Sequence, residues 1–201
     1  MSSSPADERP RGGREATREA LIEATAQIML DEGYAAATSR RVAGKAGVKP
    51  ALVHYYFPSM DDLFLAVLRA GAEINLARQR EALTDDQPLH ALWQHNNAHG
   101  AQLLMEFMAL ANHRKEIRSE IISYAARFGD MEESAVTLAM RAHGVDTTEF
   151  PPLVMSMIVT SLARILVLER SLGITRGHAE AAEFIERLLA RYEMPSVNGE
   201  R

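Results

Sequence analysis

The chain has 201 residues, of which 47% are hydrophobic and 24% charged, a composition typical of a globular protein with a substantial core. It contains no cysteine, which excludes disulfide frameworks, cysteine-ligated zinc sites and thiol nucleophiles. The net charge is −5, but residues 1–58 hold 8 basic against 7 acidic residues, so the acidic excess lies elsewhere. A near-neutral segment can still carry a basic face for a nucleic acid.

The sequence predicts a cytoplasmic protein with no membrane partner. The N-terminus has no apolar signal segment. The longest apolar run of the C-terminal half, residues 153–168, contains Ser156, Thr160, Ser161 and Arg164. We expect this run to be too polar and too short for a membrane span.

The apolar periodicity predicts an all-α protein, because no segment sustains the alternation of apolar and polar residues that marks a strand. Disordered tails are expected at residues 1–13 and 195–201, the first being rich in Ser, Pro, Gly and charge. Predicted helices span residues 17–32, 39–46, 50–57, 59–83, 88–97, 101–112, 115–142, 152–172 and 177–192. One apolar face of helix 115–142 is predicted to carry Ile117, Ile121, Tyr124, Phe128, Met131, Ala135 and Leu138.

The segment from Ser39 to Phe57 has the pattern of a helix-turn-helix. Two short helices that cross tightly need a small residue at their closest approach and a glycine in the turn, and Ala43 and Gly47 meet these needs. The space between the helices would be filled by Val42, Ala46, Val48 and Val53. A buried helical hairpin without a DNA role is the alternative.

The outward side chains of the second short helix suit a DNA groove. Lys49 can reach a phosphate or a guanine, and His54 can hydrogen-bond to a base edge. Ala51 and Leu52 suit thymine methyl groups, whereas Tyr56 is either a phosphate contact or a core residue. The candidate DNA-binding residues are Thr38, Ser39, Arg40, Lys49, Ala51, Leu52, His54, Tyr55 and Tyr56.

Two further features of the N-terminal third each have two interpretations. Thr38 and Ser39 begin the first short helix, where free N–H groups favour a phosphate, and simple capping is the alternative for both. Arg9, Arg11 and Arg14 precede the first helix and form either a basic arm for a minor groove or a solvated tail.

Residues 17–68 resemble the DNA-binding domain of the tetracycline-repressor (TetR) family. The matching pieces are EGY at 32–34, Thr38, VAGKAGV at 42–48, ALVHYYFPS at 51–59 and DLFLAVL at 62–68. The resemblance implies a homodimer whose two recognition helices face one palindromic operator, with a C-terminal ligand pocket and dimerisation through the last two long helices.

Two residues depart from the family pattern. Met60 stands where the family often has a lysine that contacts phosphate, and Lys49 stands where a capping serine or threonine is common. The resemblance therefore does not imply that this protein makes each DNA contact of the family in the same way.

The expected organisation is a helix-turn-helix domain at 14–58, a connecting helix at 59–83 and a ligand-binding and dimerisation domain at 84–194. Soft apolar side chains predict a pocket for a small apolar effector, with a few polar anchors. Ordinary core packing is the alternative for each of them. The candidate pocket residues are Trp93, Asn97, His99, Met105, Met108, Tyr124, Arg127, Phe128, Met131 and Met155.

Helices 152–172 and 177–192 have more apolar surface than one internal face needs. Two such pairs would form a four-helix bundle across a two-fold axis. The expected interface residues are Leu168, Phe184, Ile185, Leu188 and Leu189.

These features together predict a transcription regulator, most simply a repressor that a small effector releases from its operator by shifting a two-state equilibrium through helix 59–83. A helix-turn-helix regulator without small-molecule sensing is the alternative. No phosphate loop, dinucleotide glycine pattern or nucleophile elbow is present, so we expect neither an enzyme nor a cofactor. His95 and His99 are four residues apart, but no carboxylate cluster joins them, and no metal site is expected.

Overall fold

The protein is described by a computed structural model over residues 11–96 and 100–192, with side chains over 13–96 and 102–192. These residues form nine α-helices and one 3-10 turn, without a strand, so the all-α prediction is confirmed over the described ranges. The chain divides into two compact units, an N-terminal unit that ends at Ala70 and a C-terminal unit that begins at Gly71.

The N-terminal unit contains three helices and the first half of a fourth. They are α1 (Arg11–Glu32), α2 (Ser39–Lys45), α3 (Pro50–Tyr56) and the beginning of α4 (Met60–Ala82), with a 3-10 turn at Tyr34–Ala36. Its core includes Leu21, Ile28, Val42, Val53 and Leu63.

Helix α1 begins six residues earlier than predicted, so the predicted tail is wrong at residues 11–13. Thr17 does not cap the helix. Its hydroxyl donates a hydrogen bond of 2.7 Å to the Gly13 carbonyl, the bond that a threonine makes inside a helix. Arg14 is therefore helical, whereas Arg9 of the proposed arm lies outside the described residues.

The turn between α2 and α3 depends on a glycine. Gly47 has a φ of 68°, a conformation that L side chains rarely adopt, and the next N–H, that of Val48, donates to the Ala43 carbonyl at 2.9 Å. Ala43 and Val42 are fully buried where the helices cross, as the sequence predicted.

We expect Gly47→Ala to lower the free energy of unfolding by about 1 kcal/mol, because the methyl group strains a left-handed backbone. Space is not the cause, since nothing lies within 4 Å of a Cβ added there. Gly44→Ala is the matched control, because Gly44 lies inside α2 with equally open space. The control should be neutral or stabilising by up to about 1 kcal/mol. Urea unfolding measures both variants, and equal effects would contradict this account of the turn.

The C-terminal unit contains the second half of α4 and five further helices. These are α5 (Pro88–Asn96), α6 (Gly100–Ala111), α7 (Lys115–Ala142), α8 (Pro152–Ser171) and α9 (His178–Ala190). One buried cluster joins α5, α7, α8 and α9 around Trp93 and Ala163. A second joins α4 and α7 around Leu76, Tyr124 and Phe128.

The buried face of α7 turns along the helix. Ile117, Tyr124 and Phe128 are buried as predicted, but Leu138 is 67% exposed, so the predicted stripe is wrong at its end. The residues buried in the second half are Glu132, Ala139 and Met140. The reason is that α5 and α8 pack on that side, where they cover Ala139 rather than Leu138.

Helix α8 has 20 residues and is long and apolar enough to cross a membrane by length and composition, so the expectation that this stretch is too short is wrong. Core helices of folded domains meet the same criteria. One side of α8 is buried, through Ser156, Thr160, Ala163 and Leu166, against the other helices of its unit.

Candidate nucleic-acid interface and effector cavity

Helix α3 has a buried inner face and an exposed outer face. Val53 is buried, and so is Phe57 just after the helix, whereas Lys49, His54 and Tyr55 are exposed. Tyr55 is 62% exposed and meets the ring of Tyr56 edge to face, with 5.1 Å between the centroids. Large polar and aromatic side chains on the open side of a firmly packed short helix are what a groove-reading helix requires.

Both ends of α3 are held in place within the N-terminal unit. Pro50 occupies its first turn, where the missing N–H has no helical partner to lose. At the other end, the guanidinium of Arg18 on α1 lies 5.4 Å from the centroid of the Phe57 ring, within range of a cation–π interaction. The orientation of the outer face is thus set by the packing of the unit.

Two basic residues of α2 are neutralised by acidic residues of α1. Arg41 pairs with Glu32, and Lys45 lies 3.5 Å from Asp31. Lys49 and Arg40 differ, because no carboxylate of residues 13–96 or 102–192 lies within 4.0 Å of either. These two cations are available to a phosphate.

The acidic start of α4 is capped by Ser59. The Asp62 N–H donates to the Ser59 hydroxyl at 3.1 Å, and the Ser59 N–H donates to the Asp62 carboxylate at 3.0 Å. This reciprocal pair is a capping box. It engages the Asp62 carboxylate at the beginning of its own helix.

The nine candidate DNA-binding residues all lie on or next to α2 and α3. Thr38 also caps α2, since its hydroxyl accepts a hydrogen bond from the Arg41 N–H at 3.4 Å. Tyr56 is half-buried, so one part of the residue packs in the core while another part is accessible to DNA. Their contacts with DNA stay a prediction. The exposed members are Thr38, Arg40, Lys49, Ala51, His54 and Tyr55, and the half-buried ones are Ser39, Leu52 and Tyr56.

The candidate pocket residues are distributed over several places in the C-terminal unit. Tyr124 and Phe128 pack together in the α4–α7 cluster, with 5.6 Å between their rings. Met105 is half-buried, Met108 is 45% exposed, and Met131 lines a cavity beside Leu83. Asn97 and His99 lie outside the described residues.

Arg127 was predicted to anchor an effector, but the structure gives it another partner. Its guanidinium donates a hydrogen bond of 2.8 Å to the Glu73 carboxylate on the surface. This bond lowers the pKa of Glu73 and raises that of Arg127. The prediction that Arg127 points into a pocket is therefore wrong.

An apolar cavity of about 140 Å³ lies among α5, α7, α8 and α9. Met155 and the half-buried Tyr192 line it, together with Phe150 and Met140. A smaller cavity shares four of its lining residues and is therefore adjacent, and Trp93 lines this second cavity. Trp93 and Met155 are thus the two predicted pocket residues that meet at this place.

A buried carboxylate lines the smaller cavity. Glu132 is 5% exposed, and its oxygens accept hydrogen bonds from the Asn96 amide at 2.6 Å, the Ser156 hydroxyl at 3.0 Å and the Thr160 hydroxyl at 2.7 Å. This residue was not predicted from the sequence. The signal was present, because Glu132 follows Tyr124 and Phe128 at intervals of four on the apolar face of α7.

The two histidines of α5, His90 and His95, have other surroundings. His90 lies 3.1 Å from Glu186, and no group of three potential metal ligands occurs within residues 13–96 and 102–192. His95 is half-buried, and burial lowers its pKa, with a further contribution from the charge of Arg78.

The lowered pKa of His95 predicts a pH effect on stability. The unfolded chain binds a proton at this residue more readily than the folded one, so the stability contribution is present above the ordinary pKa of about 6.5 and is lost as the pH falls below it. Urea unfolding at pH 7.5 and pH 5.5 should therefore show a smaller loss in His95→Gln than in the wild type. An equal loss in both proteins would contradict the assignment.

Two of the five residues predicted for the dimer interface are buried inside the C-terminal unit instead. Ile185 and Leu189 are buried in the cluster around Trp93, because their side of α9 faces the core of the unit. Leu188 is half-buried and lines the apolar cavity. Leu168 and Phe184 are exposed, at 36% and 57%. The other large exposed apolar side chains of α8 are Leu153, Val154, Met157, Ile158 and Ile165.

The arrangement of α2 and α3 is that of a helix-turn-helix. Comparison with known families gives a match over residues 21–67 to "Bacterial regulatory proteins, tetR family". Residues 21–67 thus match the tetR-family DNA-binding domain, as the resemblance implied.

Two curated relatives are similar to part of the chain. The HTH-type transcriptional regulator BetI of Rhizobium meliloti is 40% identical over 62 residues, which are 30% of this chain and 30% of that protein. The HTH-type transcriptional activator FasR of Mycolicibacterium smegmatis is 32% identical over 85 residues, or 38% and 39% of the two chains. The matches thus span well under half of each relative.

Solved structures share the fold over most of the chain. A regulator from Rhodococcus sp., assigned to the TetR family, has a TM-score of 0.72 at 18% identity, over 89% of this chain and 99% of the other. A transcriptional regulator from Saccharomonospora viridis in complex with choline has a TM-score of 0.74 at 19% identity, over 86% and 96%. At these identities the likeness concerns the fold alone.

Proposed function

We propose that the protein is a dimeric transcriptional repressor that binds a palindromic operator and leaves it when a small effector binds. The observation that carries this proposal is the outer face of α3, where Lys49, His54 and Tyr55 are exposed while the inner face is fixed by Val53 and Phe57. Inserted into a major groove, this face brings a cation, an imidazole and a phenol to base edges and phosphates.

A second copy of the chain is the partner that operator binding requires. One short recognition helix gives little specificity, whereas two of them spaced by one helical turn, about 34–36 Å, read two half-sites. The exposed apolar side chains of α8 and Phe184 of α9 support an interface of four helices, two from each copy.

The effector site in this proposal is the apolar cavity of the C-terminal unit. Its volume and apolar lining suit a small ligand, and the Saccharomonospora viridis regulator of similar fold was solved with choline. Helix α4 contributes residues to both units. A conformational change of its C-terminal half on effector binding would therefore be transmitted along the same helix to the DNA-binding unit.

Fluorescence anisotropy with labelled duplexes tests the DNA-binding part. Fragments that flank the gene should include one bound with a Kd on the order of 10⁻⁸ M or tighter at physiological salt, at least about a thousandfold tighter than a shuffled duplex. The affinity should fall steeply as salt rises, because phosphate contacts release counterions. A folded protein that binds no duplex in a salt-dependent way would overturn the proposal.

The sensing part is tested separately on the same operator fragment. Small molecules that raise the unfolding temperature are added to the complex, and a true effector should release the DNA. In vitro transcription from the operator-bearing promoter then shows whether the bound protein represses or activates transcription, and we expect repression. A protein that binds the operator but responds to no stabilising ligand would instead be a regulator without small-molecule sensing.

A further inference from the structure

We infer that Glu132 is the anchor for a positively charged effector, an ammonium ion that carries an apolar group. The inference rests on the proposed function, since it names the chemical class of the ligand for the same cavity. It adds a charge to a ligand that the sequence alone predicted to be simply apolar.

Glu132 is a buried carboxyl group whose described neighbours within 4.0 Å bring no positive charge. Its three hydrogen-bond donors, on Asn96, Ser156 and Thr160, are all neutral. Within the part of the chain whose side chains are described, no basic group lies within 4.0 Å of its oxygens, including that of Arg164, one turn beyond Thr160 on α8. A carboxylate buried to this degree is costly unless an opposite charge accompanies it.

The carboxyl group of Glu132 also has unused hydrogen-bonding capacity. One carboxylate oxygen of Glu132 accepts from both hydroxyl groups, whereas the other accepts only from the Asn96 amide. A carboxylate oxygen has two lone pairs, so the second oxygen can accept one more donor. An ammonium N–H would fill this place, and a quaternary ammonium would supply the charge without the bond.

The space around Glu132 has a lining that suits an apolar cation. Trp93, which lines the same small cavity, presents an indole ring, the side chain that attracts cations most strongly. The adjacent cavity of about 140 Å³ has an almost wholly apolar lining. An apolar cavity of about 150 Å³ accommodates benzene, so this one suits an apolar group of similar size.

Pairs of isosteric probes test the inference by isothermal titration calorimetry. Benzylammonium is compared with benzyl alcohol, and choline with 3,3-dimethylbutan-1-ol, so that within each pair the charge is the main difference. We expect the wild type to prefer the cation by roughly 30-fold or more in at least one pair. Equal affinities within both pairs, or no binding of either cation, would overturn the inference.

Glu132→Gln removes the charge while the size and most acceptors are kept. We expect it to lose the preference for the cation and to bind the neutral probe as the wild type does. Glu133→Gln, the next residue of α7, is the matched control and should keep the preference. A Glu132→Gln protein that retains the full preference would overturn the inference.

A second measurement needs no substitution. Trp93 is the single tryptophan of the chain and is 2% exposed, so its fluorescence reports on this cavity alone. Binding of the cation should change its emission with the same Kd that calorimetry gives. If the Glu132→Gln protein does not fold, the fluorescence titration of the wild type tests the inference by itself. A cation that binds without any change in Trp93 emission would show that it binds elsewhere and would overturn the inference.

The parallel operator titration separates this inference from the proposed function. A protein that binds no operator yet selects cations at Trp93 would contradict the proposed function and support the site. A protein that is released from its operator by neutral probes as readily as by cations would support the proposed function and overturn the inference.

Discussion

Lys49→Ala is expected to weaken operator binding by about 30-fold or more, because the contact is lost at both half-sites of the proposed dimer and each loss is worth at least about 1 kcal/mol. Lys49 begins α3, is exposed and has no carboxylate within 4.0 Å among the described side chains. Its charge is therefore not neutralised inside the protein, as the charges of Arg41 and Lys45 are.

The form of the loss distinguishes two roles of Lys49. If it contacts phosphate, the slope of log affinity against log salt should fall by about 2 for the dimer, and specific and shuffled duplexes should weaken alike. If it contacts a guanine, the discrimination between them should fall instead.

Lys115→Ala is the matched control for this substitution. Lys115 is an equally exposed lysine, but it begins α7 in the C-terminal unit. The control should bind the operator as the wild type does. Equal losses in both variants would mean that bulk charge, rather than the outer face of α3, governs binding.

Phe184→Glu is expected to convert the dimer into a monomer and to abolish specific operator binding under the same conditions. Phe184 is 57% exposed on α9, and the exposed residues of α8 include Ile158 and Ile165. A glutamate in the centre of an apolar interface would leave a charge buried without a partner, which costs several kcal/mol. With one recognition helix, most of the specific affinity is lost.

Sedimentation equilibrium and the anisotropy assay measure the two effects of Phe184→Glu together. Ile122→Glu is the control, because Ile122 is 63% exposed on α7, outside the proposed α8–α9 interface. It should remain dimeric and bind the operator. If the Phe184→Glu protein remains a dimer, the interface is not the one proposed here.

The sequence predicted the helices well because the breaks between them have strong local signals. The breaks of the N-terminal unit are marked by Gly47, Pro50 and Pro58, and the capping box of Ser59 and Asp62 begins α4. The helix-turn-helix was predictable for the same reason, since its small residue, turn glycine and apolar contacts all lie within 19 residues, Ser39 to Phe57.

The C-terminal unit was less predictable, because which helix covers which face is decided by distant parts of the chain. Periodicity placed Leu138 on the same face as Phe128, but α8 and α5 cover the side of Ala139. Likewise, Ile185 belongs to the core, and only its neighbour Phe184 is exposed. The place of Glu132 on the apolar face of α7 was apparent in the sequence, but its three donors come from two other helices and could not be predicted from the local sequence.

Hydroxyl-radical footprinting of the operator tests the central claim most directly, namely that two copies of α3 read DNA together. We expect two protected segments related by two-fold symmetry, with centres one helical turn of about 10 base pairs, or a multiple of it, apart. Lys49→Ala should weaken both segments equally. A single asymmetric footprint, or protection that Lys49→Ala leaves unchanged, would contradict the claim.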